Sequence, residues 1–188
     1  MRKVELSTPT SILRPPTIAD ASAIAAACQD AEIHRWVPVP VPYGLEDAHA
    51  FVTDISGAGW ETGASCTWAI QCDGALAGMV SLDRIVAGQA TIGFWMAPKQ
   101  RGRGILTEAL RSVIEFGFAP APDGLGLVRI EWHAYLGNSA SARVARRVGF
   151  RFEGTLRLGG LGRQKREDEW IAGLLASDPC TPSEWPVI

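Results

Sequence analysis

The sequence is poor in the features that would assign it to many protein classes. Its four cysteines, Cys28, Cys66, Cys72 and Cys180, show neither the spacing of a metal site nor the density of a disulfide framework. They read as reduced thiols used mostly in packing, and no metal is expected. No apolar run is long enough to cross a bilayer. The charged start, Met1-Arg2-Lys3-Val4-Glu5, is not followed by the apolar core of a signal peptide. A cytoplasmic protein is the expectation. An excess of one charge is also missing: 18 Lys and Arg stand against 20 Asp and Glu, a net charge of −2. Such a balance gives no bulk field toward nucleic acid or membrane. The basic residues fall in separate groups, Arg101/Arg103, Arg143/Arg146/Arg147 and Arg163/Lys165/Arg166. They form no single stripe with interleaved aromatics, so neither a nucleic-acid nor a membrane partner is expected. No internal repeat is visible.

What remains is the make-up of a globular protein. A chain of 188 residues, 47% hydrophobic and 20% charged, suits one domain over residues 1–188 with a single core. Residues 1–10 and 177–188 are rich in Ser, Thr and Pro, and are expected as loose ends around a core of about 10–176.

Residues 91–106, Thr-Ile-Gly-Phe-Trp-Met-Ala-Pro-Lys-Gln-Arg-Gly-Arg-Gly-Ile-Leu, are the most informative stretch. An apolar strand runs into a proline, then a basic, glycine-rich turn. A helix follows, with Ile105, Leu106, Ala109, Leu110, Val113, Ile114 and Gly117 at helical spacing. A strand–turn–helix of this kind aims backbone N–H groups and the positive end of a helix dipole at one spot. Gly102 and Gly104 let a phosphate approach the main chain, and Arg101 and Arg103 add forked donors. The stretch reads as a pyrophosphate seat. A P-loop would need Lys-Ser or Lys-Thr where Ile105-Leu106 stand. A dinucleotide fingerprint would need glycine at Thr107 and an acid closing a later strand, whereas Asp123 sits in a turn-forming run.

Elsewhere, Ile12–Arg14 closes a first strand and Asp20 caps a helix carrying Ala21, Ile24, Ala25 and Cys28. A loop with three prolines follows Trp36, and Leu45–Ile55 reads as a second helix. Ala64–Cys72 and Ala75–Leu82 are strands joined at Asp73-Gly74, a hairpin signal, and Gln89–Met96 is a third. Leu127–Tyr135 is a strand with Arg129, Glu131, His133 and Tyr135 on one face. Asn138 caps a helix that Gly149 ends. Phe152–Leu158 and Glu169–Leu175 read as a closing hairpin. The order β α α β β β α β α β β indicates an α+β fold, a mixed, mostly antiparallel sheet flanked by helices.

The turn resembles the acyl-CoA turn of the GCN5-related N-acetyltransferases, whose pattern is Arg or Gln, two residues, Gly, one residue, Gly or Ala. Arg101 and Gly104 match, and Leu106 departs at the last place. Asn138, Ser141, Gly149, Phe150, Glu153 and Gly154 resemble the signature of the RimJ/RimL-like branch, as do Leu13-Arg14-Pro15 and His34-Arg35-Trp36. The resemblance spans about residues 10–176. It implies splayed central strands, between which the pantetheine arm of acetyl-CoA lies as a false strand. Trp95, Met96, Ala97, Arg101, Gly102, Arg103, Gly104, Ile105, Leu106, Asn138 and Ser141 are then the acyl-CoA residues. A backbone N–H near Trp95–Ala97 is the candidate donor to the thioester oxygen.

Many members protonate the departing thiolate with a tyrosine, which by spacing falls on Ala145. The RimJ/RimL-like branch has a serine instead, matched by Ser141. RimL-like enzymes carry a glutamate base where ungapped spacing gives Gly160. The remaining candidates for a base are His133, Tyr135, Glu131, Glu32 and His34, with His133 first because imidazole titrates near neutral pH. Trp36 and Tyr43, with the proline-rich loop, are expected to border the acceptor, a peptide or small-molecule amine. The implied activity is transfer of acetyl from acetyl-CoA to a primary amine in a ternary complex. The alternatives are another acyl group such as succinyl, or an acyl-CoA sensor without turnover. A homodimer is left open.

Overall fold

The computed structural model describes residues 1–188. Eight strands form one sheet: β1 (Leu6–Ser7), β2 (Ile12–Arg14), β3 (Cys66–Cys72), β4 (Ala75–Val86), β5 (Gln89–Met96), β6 (Arg129–Tyr135), β7 (Arg151–Leu161) and β8 (Arg166–Leu175). Their order across the sheet is β1-β2-β3-β4-β5-β6-β8-β7. Every neighbouring pair is antiparallel except β5 and β6. Six α-helices accompany it: α1 (Ala21–Ala27), α2 (Ala31–Trp36), α3 (Leu45–Ala50), α4 (Ala58–Thr62), α5 (Ile105–Phe118) and α6 (Ser139–Arg147). This is the mixed, mostly antiparallel α+β fold that the order of elements indicates.

Turn chemistry sets the antiparallel meander. Asp73 and Gly74, at φ 52° and 75°, join β3 to β4, and Ala87 and Gly88, at φ 50° and 79°, join β4 to β5. Two successive positive φ values match the right-handed twist of the strands they connect. Ala87 pays the steric cost of that conformation without the usual Asn or Asp, so only its glycine partner marks the second turn in the sequence.

Side-chain alternation then builds the core. Ile130, Trp132 and Ala134 of β6 are buried, while Arg129, Glu131, His133 and Tyr135 face the other way, half-buried. The buried row meets α5, whose Leu110 and Val113 are fully enclosed. Gly117 is where α5 and the sheet approach: a Cβ there would lie 3.0 Å from Ile130 Cδ1. Trp60 and Trp68 pack edge to face at 5.1 Å, each with its indole N–H on a backbone carbonyl. A smaller core of Ala21, Ile24, Cys28, Ile33, Tyr43, Ala48 and Val52 joins the first helices, with Trp95 packed against it.

Several boundaries differ from the sequence expectation. Residues 31–36, to which the sequence reading gave no helix, form α2, because Asp30 caps it by accepting from the Ile33 N–H at 3.1 Å. The helix expected to end at Ile55 continues through a π-helical stretch, Phe51–Gly57, into α4. The two ends are tied down rather than loose. Leu6–Ser7 pairs with β2, and the Met1 ammonium donates to the Trp60 carbonyl at 2.8 Å. Trp185 is buried in the main core, its indole donating to the Phe150 carbonyl at 3.0 Å. The C-terminal segment crosses Gly149 (φ +107°) so closely that a Cβ would lie 2.8 Å from Cys180 Cα.

Candidate active site

Strands β5 and β6 pair only over Gln89–Ile92 and Arg129–Trp132. Beyond them β5 stays with β4 and β6 with β8. The central strands therefore splay, as the resemblance implies, and the β6-facing edge of residues 93–96 has no strand partner. Which groups face the gap follows from register. The Ala97 N–H donates to Ala77 O at 2.9 Å, so it points into the sheet. Antiparallel alternation then turns the main-chain groups of Phe94 and Met96 toward the gap. This excludes the Ala97 N–H from the expected stretch of donors to a thioester oxygen, and it leaves Met96.

A cavity of about 470 Å³ fills the splay. It is lined by Trp95 and Met96 from β5, the Gln100–Thr107 turn, Trp132 and His133 from β6, and Asn138, Ser141 and Val144 at α6. Trp36 of α2 borders it as well. Of the residues expected to hold acyl-CoA, Ala97 alone lies outside the lining. Arg147 and Glu32 line it although the sequence did not single them out for acyl-CoA. Arg147 lies one turn beyond Val144 on the same face of α6, and that spacing was the available signal.

The turn is built for an anion. Gly102 and Gly104 hold φ of +76° and +81°, and a Cβ on either would meet nothing within 4 Å. Glycine is used here for conformation and leaves open space above the main chain. The N–H groups of residues 102–106 reach no acceptor within the protein, as at any uncapped helix start. The two arginines are engaged. Arg101 pairs with Asp30 and donates through Nε to the Met96 carbonyl at 3.1 Å, which ties α2 to the end of β5. Arg103 pairs with Asp73 at 2.9 Å and also reaches Gln100. Burial opposes ionisation of Asp30, but hydrogen bonds from Arg101 and the Ile33 N–H outweigh it, and its pKa is lowered.

Ser141 sits in the first turn of α6. Asn138, 9% exposed, accepts from the Ser141 N–H at 3.2 Å and sets the cap. The Ser141 hydroxyl bonds no backbone group. Its oxygen accepts from the Trp132 indole N–H at 3.0 Å. Ala145 is fully buried against the sheet and does not line the cavity, so a tyrosine has no room there.

His133 stands one residue past the point where β5 and β6 part. Its Nδ1 is 3.2 Å from Glu169 Oε2, and its Nε2 is 3.2 Å from Glu131 Oε2. Glu131 in turn accepts from Arg129 Nε at 3.0 Å, and Arg129 forks onto Glu153 at 2.8 and 2.6 Å. Burial raises the Glu131 pKa, but the hydrogen bonds from Arg129 and His133 prevail and lower it. Glu169 has no signal in the sequence as a site residue, since only the β6–β8 register brings it to His133.

The acceptor residues separate. Trp36 lines the cavity, its indole N–H on Glu32 Oε2 at 2.9 Å. Tyr43 does not line it. It is 6% exposed in the smaller core, where burial pushes its pKa up to about 12. The tyrosine follows the prolines of its loop inward, because Gln29 donates to the Tyr43 carbonyl at 2.8 Å and Gly44 is the N-cap of α3. Tyr135 and His34 line a separate cavity. Cys28 and Cys66 are buried, which pushes their pKa values up to about 11 and about 12, so they are packing thiols. No helix is long and apolar enough to cross a membrane.

A sheet split at its centre, with a glycine turn and a helix start below the split, defines an acyl-CoA transferase scaffold. The family model for the acetyltransferase (GNAT) domain matches residues 11–151, and the chain belongs to that family. Among curated relatives, the uncharacterized N-acetyltransferase YoaA of Bacillus subtilis (strain 168) is 30% identical over 161 residues, 81% of this chain and 85% of YoaA. The putative ribosomal N-acetyltransferase YdaF of the same organism is 40% identical over 89 residues, 46% of either chain, so the match spans about half of that relative. Among solved structures, Mycobacterium smegmatis RimJ in complex with CoA-disulfide superposes with a TM-score of 0.81 at 25% identity, covering 93% of this chain and 87% of RimJ. RimL, the ribosomal L7/L12 alpha-N-protein acetyltransferase, in complex with coenzyme A, gives 0.80 at 21% identity over 93% and 98%, a likeness of fold.

Proposed function

We propose that the chain transfers acetyl from acetyl-CoA to a primary amine by direct attack in a ternary complex. The observation that carries this reading is the gap between β5 and β6, open above the unpartnered N–H groups of residues 102–106. A pyrophosphate fits those N–H groups and the helix dipole behind them. A pantetheine arm, with two amides, fits the free edge of residues 93–96. RimJ and RimL, which share the fold, were both solved with the cofactor's CoA moiety bound.

The arm places the thioester near Met96, Trp132 and Ser141. The Met96 N–H faces the gap and is the donor to the carbonyl oxygen as negative charge develops. The amine attacks the thioester carbon and a tetrahedral intermediate forms. The C–S bond then breaks, the nitrogen gives up its extra proton to the departing sulfur, and CoA leaves as the thiol beside Ser141. With its oxygen already accepting from Trp132, the Ser141 hydroxyl turns its hydrogen to the departing sulfur. His133 and its two carboxylates border the amine side. A ring nitrogen takes the ammonium proton by exchanging Glu131 or Glu169 for the amine. Trp36 forms a wall of the acceptor side, with Glu32 holding its indole.

Isothermal titration with acetyl-CoA and with succinyl-CoA, followed by a CoA-release assay over peptides and small amines, tests the reading. Binding of acetyl-CoA with CoA release on an amine is expected. Absence of heat with every acyl-CoA overturns it, and binding without release on any amine favours a sensor.

A further inference from the structure

A second cavity, of about 630 Å³, opens beside the first, and Val37 and Pro38 border both. Its walls come from the C-terminal end of α2, the proline-rich loop, Tyr135 and the tip of the β7–β8 hairpin. The charges there are one-sided. Arg35, Arg163 and Lys165 line it with a single acid, Glu167. Both carboxylate oxygens of Glu167 are taken by Arg35, at 3.3 and 2.7 Å. Arg163 spends only Nε, on the His34 carbonyl at 3.0 Å, and neither Arg163 nor Lys165 forms an ion pair. His34 Nε2 is buried without a partner at the same wall. A chain of net charge −2 thus keeps two unpaired cations around one cavity.

The amine side of the first cavity differs in sign from the second cavity. The amine side of the first is bordered by His133 between Glu131 and Glu169, which suits an ammonium. The second suits an anion, because unpaired guanidinium and ammonium groups recognise carboxylate and phosphate through charge-assisted hydrogen bonds. We propose that the second cavity binds an anionic group, a carboxylate or phosphate, carried by the same acceptor whose amine is acylated in the first. The proposal rests on the acyl-transfer reading and deepens it. It makes the acceptor an amine with an acidic substituent several atoms away, as in a peptide with acidic residues after its N-terminus.

The test compares three C-terminally amidated peptides, Ala-Asp-Asp-Ala, Ala-Asn-Asn-Ala and Ala-Lys-Lys-Ala, with free aspartate as a small anionic amine. Binding to the free and to the CoA-loaded protein is measured by calorimetry, and CoA release from acetyl-CoA is followed with each. The Asp peptide is expected to exceed the Asn peptide by about tenfold or more in affinity and in kcat/KM, with the Lys peptide last. The margin should shrink as salt is raised. In the Arg163→Glu, Lys165→Glu double variant the order should reverse while acetyl-CoA affinity holds. Aspartate outperforming the Asp peptide identifies a small molecule as the source of the anion, and the reverse identifies a peptide. Failure of the Asp peptide to bind, equal binding of all three, or an order unchanged in the double variant overturns the proposal. Acetyl-CoA binding is read separately, so the loss of this inference and the loss of the acyl-transfer reading remain distinct.

Discussion

The indole N–H of Trp132 donates to the Ser141 hydroxyl oxygen at 3.0 Å, across the interface of β6 and α6. Trp132 is 1% exposed and has no other acceptor within reach, so the bond is part of the core. An indole only donates. It therefore fixes Ser141 Oγ as an acceptor and leaves the hydroxyl hydrogen for a partner in the cavity. Ser141→Ala should lower kcat by roughly ten- to several-hundred-fold with little change in KM for acetyl-CoA, because the bond to the thiolate forms in the transition state. Trp132→Phe keeps an aromatic ring but removes the donor, and should lower kcat by about three- to tenfold, again at constant KM. Steady-state kinetics on both variants checks this. If kcat holds in Ser141→Ala while only the melting temperature falls, the serine is a helix-cap residue.

The glycine turn allows strain and charge to be separated. Gly104→Ala meets no neighbour, and its cost is the φ of +81°, about 1 kcal/mol. Gly104→Asp bears the same strain and adds a carboxylate beside the free N–H groups of residues 102–106. Titration calorimetry should show acetyl-CoA binding retained, weakened severalfold, in the first and lost in the second. Equal losses would mean that backbone conformation, and not the anion seat, governs binding.

The parts of the fold that local pattern encodes were legible in the sequence. The β5 boundaries, the hairpin at Asp73-Gly74, and the caps at Asn138 and Gly149 each rest on residues within a few positions of one another. The glycine turn also followed from a contiguous stretch, and the splayed strands from the family resemblance. What stayed hidden depends on register between distant segments. Glu169 reaches His133 because β8 aligns with β6, and nothing local in Arg166–Leu175 marks it. The C-terminal segment looked loose because its Ser and Pro content masks one residue, Trp185, that the core receives. Tyr43 is aromatic and follows a proline-rich loop, which suits an exposed wall as well as a buried anchor, and only the fold decides for the anchor.

Asp20 gives a prediction for stability against pH. Its carboxylate, 6% exposed, accepts from both nitrogens of the Arg14 fork at 2.8 and 2.7 Å and from the Thr17 N–H at 2.7 Å. Burial raises its pKa, but the bonds from Arg14 and Thr17 outweigh burial, and the folded value lies below the usual one. A depressed folded pKa stabilises the native state fully above the unfolded value of about 3.9, and the contribution fades as pH falls through the folded value. Asp20→Asn should cost about 1–2 kcal/mol near neutral pH by weakening the bonds to Arg14 and Thr17. Urea denaturation should show the gap from the native sequence narrowing below about pH 4. A gap that stays constant below that pH would show that Asp20 acts through packing alone.

By ungapped spacing the resemblance to RimL-like enzymes implies a glutamate at Gly160, and Tyr135 fills the room beside it. A Cβ on Gly160 would lie 2.6 Å from Tyr135 Cε1. Gly160→Glu should therefore displace the Tyr135 ring and its bond to the Leu161 carbonyl. The expected result is a drop in melting temperature with no gain in kcat/KM for any amine, a cost of about 1–3 kcal/mol from overpacking. A gain in rate would show that the hairpin tip swings the new carboxylate into the site.

His133 supplies the last prediction, which concerns the proton of the incoming ammonium. The ring lines the cavity beside the splay, and each nitrogen faces a carboxylate, Glu131 on one side and Glu169 on the other. Carboxylates only accept, so both bonds form when both nitrogens carry hydrogen. The ring becomes a base when one N–H is lost and that nitrogen turns from its carboxylate to the amine, directly or through one water. Activity should then rise with pH along a limb in kcat/KM that depends on His133. His133→Ala should erase the limb. Glu169→Gln removes one of the two carboxylates that orient the ring and should lower kcat severalfold without abolishing turnover. A purely structural histidine would instead lower the melting temperature and leave the profile in place. The profiles are measured with one amine of known pKa. A rate in all three proteins that simply follows the acceptor's own deprotonation would remove His133 from the chemistry.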